Sequence, residues 1–588
     1  MKKNILRKFF AMSLVGTIAL GSMTGCGSEE TTSNNNAGSN TSGTNSNAQS
    51  GGNTSTGNTS TGNASTGGDT SGDSTTQVAG IDGWEPFAEN VTLKIPVYDR
   101  GKEGVPAIGE NYWEDWVQEN FADNYNITME FVPITRTDVM TSYSLLASDQ
   151  DLPTVLMEYD FPKMAQWADD GYLATYDLNE FAQVAPTYYN RMVELGQLNY
   201  TDLNGECYFA LAERQYYNVD YTWVTMYRQD WAEQVGYTEY PQTWEEQKDM
   251  LTKIKEAGLC EYPLGGKIVT GAGVDTNYEF RTYPLDEKNW AMYGDYNIPA
   301  MGDAANKAFL KRENEKYNLG FTNPEYYVTD EETAKARFVN GETFEYSGFI
   351  AAEMDWLSAF YEQNPDADLA VKVIKEADAA GGTSPAFRSN NPYGMMIGFS
   401  SMASEDEIKA AWMYMEWLTQ EENLFTMQWG NEGEHYTLDA NGLPVSKGGY
   451  SGDKVQGYNN SKDYWCITVE ARTAGTIEDV IAANAPAGLP EDFTQQIIDQ
   501  YYVKLANAEK GYSVPDCAFA VIIDSVSEYQ TTLLEDYTVL RDRVTMCAPE
   551  DFEAEYEKAA KEYADAGYQA IVDERAAAYD SGMCTTLR

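Results

Sequence analysis

The chain has 588 residues, with 40 Lys and Arg against 92 Asp and Glu, for a formal charge of −52. A field of that sign repels phosphate backbones and anionic lipid, which excludes a nucleic-acid role. His435 is the one histidine and no two of the seven cysteines form a C-x-x-C pair, so multi-histidine metal sites, His-based nucleophilic triads, zinc ribbons and thioredoxin-like chemistry are unsupported.

The length suits two or three domains, and 42% hydrophobic residues suffice for a substantial core. The 42 Tyr and 13 Trp are mostly core material, but such rings also serve recognition, because each pairs a flat apolar face with a polar handle. Pairing among the six cysteines after Cys26 is not legible.

Lys2, Lys3, Arg7 and Lys8 form a positive start, followed by an uncharged apolar run over residues 9–23. The run has the proportions of a signal h-region and is short for a membrane span. Met23-Thr24-Gly25-Cys26 then resembles a bacterial lipobox, with Met where Leu is more usual. The resemblance implies cleavage before Cys26 and a diacylglycerol on its sulfur. Loss of residues 1–25 with their four positive charges would take the net charge from −52 to −56. Residues 26–85 then read as a lipidated cysteine and a Gly/Ser/Thr/Asn linker. That composition buries too little surface to offset chain entropy, and such a linker reaches roughly 40 Å.

From residue 86 the pattern becomes that of a folded chain. "VTLKIPV" at 91–97 alternates as a strand, and "NYWEDWVQENFADNY" places Trp113, Trp116, Val117 and Phe121 at helical spacing. "NITMEFVPI" alternates again, "MTSYSLLASDQ" reads as a helix, and "LPTVLMEYD" as a short buried strand. Strands alternating with helices predict an α/β fold with a parallel sheet, whose ligands lie beyond the carboxyl ends of the strands. That rule points to Glu158 and Asp160. In "YPQTWEEQKDMLTKIKEAGL" Thr243 caps a helix while Glu246 reaches back, Trp244, Leu251 and Ile254 share a face, and Gly258 ends it. Residues 330–356 read helix, Asn-Gly turn, strand and loop, and "AVKVIKEA" opens another strand region. "SEDEIKAAWMYMEWLTQEENLFTMQWG" predicts one long helix with an acidic first turn, and the chain ends in helices.

Three stretches carry a family resemblance. "YRQDWAEQVGYTEYPQTWEEQKDMLTKIKEAG" resembles the middle segment of bacterial extracellular solute-binding proteins of the family 1 type. "GNEGEHYTLDANGLPV" resembles a segment of its large lipoprotein subgroup, which includes oligosaccharide receptors. "LPTVLMEYD" resembles the family's strand and cleft loop. The matches follow the family's order and span most of residues 90–450.

The resemblance implies a two-lobed, type II periplasmic-binding-protein-like fold with a hinge, a ligand cleft and extra C-terminal helices. One lobe would take about 86–210 and 372–428, the other about 211–371 and 429–588. It implies a monomeric receptor, not an enzyme, with no cofactor. An oligosaccharide would close the cleft and be delivered to an ABC permease, with membrane contact through the lipid anchor alone. Some relatives hold calcium after the Pro-x-T-W helix. Here "IKEAGLCEYPLG" lacks alternating Asp/Asn ligands, and "DLNGE" at 202 and "DANG" at 439 are too short, so no metal is expected.

Sugars offer hydroxyls and C–H faces, which favours aromatic rings beside Asp, Glu and Asn. Beyond Glu158 and Asp160, candidates are Tyr216, Tyr217 and Trp223 before the R-x-D-W segment, and Trp290 and Tyr293 in "NWAMYGDYN". Tyr346, Ser347 and Trp356 lie where the family's ligand loop begins. Arg388, Asn390, Asn391 and Tyr393 lie near the lobe junction. Trp429, Glu432 and His435 lie in the subgroup motif, which binds ligand or else holds its own loop. Trp113, Trp116, Trp244, Trp412 and Trp417 are expected to pack, and Arg228 with Asp230 to brace the scaffold. A peptide receptor on the same fold stays open. So does a surface glycoside hydrolase, which needs two carboxylates at a set separation that no feature here selects.

Overall fold

A computed structural model describes residues 83–585, apart from 102–106, 218, 220, 222, 266–279, 282–284, 296–297, 350–355, 375–386, 448–453, 455–461 and 485–490. The expected signal peptide, Cys26 and nearly all of the expected linker lie outside the described residues. The described residues all fall within one unit, which spans residues 76–588.

The first strand, β1 (Val91–Asp99), alternates over Val91–Ile95 and is then buried on both faces through Tyr98. Helix α1 (Tyr112–Asn120) starts where the Asn111 side chain accepts from the amides of Trp113 and Glu114. Trp113, Val117 and Phe121 are fully buried, while Trp116 sits half-exposed beside Trp417. Strand β2 (Ile127–Thr135) pairs with β1 in parallel, from Val91 opposite Ile127 to Asp99 opposite Thr135. Helix α2 (Val139–Ser148), strand β3 (Val155–Glu158) and helix α3 (Phe161–Asp169) complete the alternation.

The neighbouring sheet departs from the parallel expectation. Its centre is the wholly buried strand Tyr393–Ser400, which runs antiparallel to β3, to Leu173–Ala174 and to Phe209–Glu213. A strand returning to the sheet after some two hundred residues can take either direction, and local periodicity does not record which. Around these strands lies a core that also takes residues 410–418 and Tyr464, Trp465, Cys466, Ile467 and Val469. Residues 464–469 therefore belong with the first core, although the expected division at 428 groups them with the second lobe.

A second sheet joins Trp223–Arg228 to Glu345–Phe349 on one side and Leu369–Val371 on the other, all antiparallel. Its strand period sorts the side chains into two cores. Val224 and Met226 pack with Phe338, Phe360, Ile481 and Ile497, whereas Tyr227 packs with Trp231, Trp244 and Leu251. The helix Trp244–Glu256 has both halves of its capping box, and Gly258 takes a φ of +69° just past its end. A further core joins helices Asp524–Met546, Phe552–Tyr563 and Gln569–Asp580 to Ala291, Ile298 and Leu310.

The single helix expected over 404–430 is two, Glu405–Leu418 and Glu421–Trp429. Ser404 and Glu407 box the first N-terminus, and Thr419 Oγ1 turns back to donate to the Glu416 carbonyl at 2.6 Å. A Thr that satisfies a helix-end carbonyl competes with continued winding.

Passages of chain from the first core to the second-sheet cores are laced together. The Glu213 amide donates to the Thr468 carbonyl at 2.9 Å, and the Glu470 amide to the Glu213 carbonyl at 2.8 Å. The Asn390 amide donates to the Tyr217 carbonyl at 2.8 Å, and Arg214 pairs with Glu470.

Candidate functional site

At the carboxyl ends of β1, β2 and β3 the chain leaves the strands at Arg100, Arg136 and Tyr159. β1 and β2 run in parallel, and contacts of Tyr98 with Met157 and of Arg136 with Glu158 bring the end of β3 to the same edge. Arg136 pairs with Glu158 at 3.2 Å, with side chains 33% and 2% exposed. Arg100 pairs with Asp463, which is fully buried and lies 363 positions along the chain. Both guanidinium groups sit over the ring of Tyr98, at 5.6 and 4.8 Å from its centroid. The Tyr98 hydroxyl donates to the Met157 carbonyl at 2.6 Å, locking ring and strand together.

Asp160 closes this edge. Its carboxylate caps α3 by accepting from the Lys163 amide at 3.4 Å, with the Lys163 ammonium 3.6 Å away. Burial pushes the carboxyl up to about 7, against the opposing pull of Lys163 and with further upward push from Glu158 and Asp295. At neutral pH it can donate as an acid or accept as a carboxylate.

A different surface forms at the start of the second sheet. Trp223 is 50% exposed and opposes Phe349 in the ladder. Two residues on, Thr225 opposes Ser347, and their hydroxyls are 2.7 Å apart. Trp356 is half-buried, edge-on to Tyr346 at 5.3 Å, and Tyr346 stacks on Phe338. This arrangement presents a flat indole beside a hydroxyl pair. Tyr346 itself is 8% exposed and serves the core.

The remaining expected residues fall elsewhere. Tyr216 holds a φ of +53° and packs edge-on to Tyr221 and Tyr501 in the second-sheet core, while Tyr217 and Asn390 meet through their backbones. Arg388 lies in the strand Phe387–Ser389 opposite Val514. Asn391 and Tyr393 are buried together, the Asn391 amide donating to the Tyr393 hydroxyl at 2.9 Å. Trp290 is fully buried under Arg281, its indole donating to the Pro515 carbonyl at 3.1 Å, and Tyr293 lies half-buried near Tyr568. Both rings are taken up in packing near the C-terminal helices.

The motif at 429–446 holds its own loop. Trp429 is buried, donates to the Thr473 carbonyl at 3.3 Å and lies under Arg472. His435 Nδ1 accepts from the Asn431 amide at 2.9 Å, so Nε2 carries the proton and donates to the Lys454 carbonyl at 2.6 Å. Gly430 has a φ of +77°, and a Cβ there would stand 2.7 Å from that imidazole. Asp439 accepts from the amides of Asn441 and Leu443 within the hairpin, and Glu432 is exposed. Asn204 and Gly205 of "DLNGE" both take positive φ in a tight hairpin, which explains that sequence as a turn. Arg228 and Asp230 form a two-pronged pair at 2.8 and 2.6 Å.

Tyr98, Arg100, Arg136 and Thr225 are not among the residues expected from the sequence. The first three lie at strand ends, within reach of the rule that singles out Glu158 and Asp160. Asp463 carries no local signal. Among the described residues no cluster of His, Cys, Asp and Glu could hold a metal ion, and no helix is long and apolar enough to cross a membrane.

No protein-family model matches the chain, and no curated protein matches it in sequence. Solved structures do match in fold. An alginate-binding protein, AlgQ2, aligns with a TM-score of 0.57 at 13% identity, over 84% of this chain and 99% of that one. An HMO-binding, ABC-transporter-associated solute-binding protein from Bifidobacterium longum infantis aligns at 0.56 and 13% over the same shares. The Streptococcus pneumoniae substrate-binding protein FusA, solved with kestose, aligns at 0.54 and 14%, again over 84% and 99%. The chain thus has the two-lobed, periplasmic-binding-protein-like α/β fold of extracellular solute-binding proteins.

Proposed function

We propose that the chain is the substrate receptor of an ABC importer, capturing an oligosaccharide in a cleft walled by the strand-end edge and the Trp223 surface. The observation that carries this reading is the pairing of two chemistries on one fold. Arg100 with Asp463 and Arg136 with Glu158 offer fixed donors and acceptors whose charges cancel, which suits neutral hydroxyls. Trp223 beside the Thr225–Ser347 hydroxyls offers an apolar face rimmed by polar groups, which suits a sugar ring. Glycan binding by AlgQ2, the Bifidobacterium protein and FusA supports the same class of ligand.

In this reading ligand bridges the two surfaces and stabilises the closed form, because only there are both engaged. The laced crossings at Glu213, Asn390 and Glu470 act as the hinge. No chemical step follows, and the closed receptor is handed to a permease. Cys26 carries the lipid that holds the receptor on the outer face of the cell membrane, and residues 27–85 are its tether.

Calorimetry of the detergent-solubilised full chain against glycan and peptide panels tests the ligand class. One glycan class should bind saturably at 1:1 and be recovered intact. Binding of peptides alone, or cleavage of the bound glycan, would overturn the reading. Metabolic labelling with an alkynyl fatty acid tests the anchor, and the label should vanish in Cys26→Ala.

A further inference from the structure

We propose that Cys517 and Cys584 are a disulfide-forming pair that oxidation closes, stapling the end of the chain to the edge of its C-terminal helical layer. The backbone places them. The Ala520 amide donates to the Met583 carbonyl and the Thr585 amide to the Ala518 carbonyl, both at 2.8 Å, so residues 518–520 and 583–585 run antiparallel. Phe519 and Cys584 are bridge partners. Cys517 lies diagonally across that ladder, and its sulfur stands 3.6 Å from that of Cys584. Cys584 is 3% exposed and Cys517 half-buried, so the sulfurs are held by the surrounding core.

The position gives the bond something to hold. Cys517 follows the strand Ser513–Pro515, which pairs with Phe387–Ser389 ahead of the central strand of the first sheet. The Cys517 sulfur also faces the Ala291 carbonyl at 3.9 Å, next to buried Trp290. One covalent link would tie the last helix, Gln569–Asp580, to this junction.

The chemistry is thiol–disulfide exchange. One cysteine thiolate attacks a low-molecular-weight disulfide or an oxidised thiol oxidoreductase, expelling one thiolate and forming a mixed disulfide. The second cysteine then attacks the mixed disulfide, the Cys517–Cys584 bond forms, and a second thiolate leaves. The two cysteine protons end on the two leaving thiols, and the external disulfide is reduced by two electrons. The hydrogen bond with Cys584 and burial both push the folded Cys517 thiol up, so closure belongs to folding, before the pair is sealed. An oxidising compartment for this step rests on the export proposed above; the pairing itself does not.

The full chain is alkylated with iodoacetamide without reductant, digested and analysed by mass spectrometry, in two arms. One arm uses protein purified from the membrane of its host cell, and the other reduced protein refolded with oxidised glutathione. A peptide pair linked through Cys517 and Cys584, two hydrogens lighter than the free peptides, is expected in both. Linkage in the glutathione arm alone supports the pair and counts against export. Separate alkylation of both cysteines in both arms overturns the proposal. Reduction should also lower the melting temperature by about 4 °C, the effect of opening a loop across 67 positions in a chain of this size. The Cys517→Ala/Cys584→Ala variant should show no such shift.

Discussion

Asp160 offers a quantitative test of the strand-end edge. Its carboxyl is raised from 3.8 to about 7, first by burial and then by Glu158 and Asp295, with Lys163 opposing. A group whose folded value lies above its unfolded one favours folding while protonated. That stability is complete below pH 4 and is lost as pH rises through 7. Three units at 1.36 kcal/mol each give an ionisation cost of about 4 kcal/mol at pH 8, against well under 1 kcal/mol at pH 4. Asp160→Asn keeps a capping oxygen for the Lys163 amide and removes the titration. For a folded unit of about 500 residues the unfolding entropy is about 1 kcal/mol/K. The variant should therefore melt within about 1 °C of the parent at pH 4 and about 4 °C above it at pH 8. Differential scanning calorimetry over that range is the assay. A gap that does not change with pH would refute the claim that buried charge at residue 160 is what the edge works against.

Trp223→Ala removes an exposed indole outside the packed cores. If a sugar ring covers roughly 100 Å² of it, affinity should fall by about 2.5 kcal/mol, or tens of fold, in calorimetry with little change in melting temperature. Arg136→Met leaves Glu158 buried without its cation and should cost about 3–5 kcal/mol of stability, whereas Arg136→Met/Glu158→Leu should recover much of that in denaturant titration. The imidazole of His435 should show the Nε2–H tautomer in long-range nitrogen NMR, and His435→Ala should destabilise the loop while leaving ligand affinity within about twofold. Calcium or EDTA should move the melting temperature by less than about 1 °C, because "DLNGE" and "DANG" are spent as turns; a larger rise with calcium would reveal a site.

The sequence by itself determined most features that are settled within a few residues of chain, although the break at Thr419, held by its contact with Glu416, is not read from it. The capping box at Thr243, the helical stripe of Trp113, Val117 and Phe121, and the alternation at the start of β1 depend on side-chain spacing, and spacing is written locally. The strand-end rule reached Glu158 and Asp160 on the same basis and could have reached Arg100 and Arg136. What only the tertiary structure decided depends on which distant segments meet. Trp223 and Trp290 read alike as aromatics in weakly patterned stretches, yet one is half exposed beside a hydroxyl pair and the other is sealed under Arg281. The antiparallel central strand, the partner of Arg100 at Asp463 and the approach of Cys517 to Cys584 join positions 67 to 363 residues apart. Such meetings follow from how whole cores close against one another, and no local period in the chain records them.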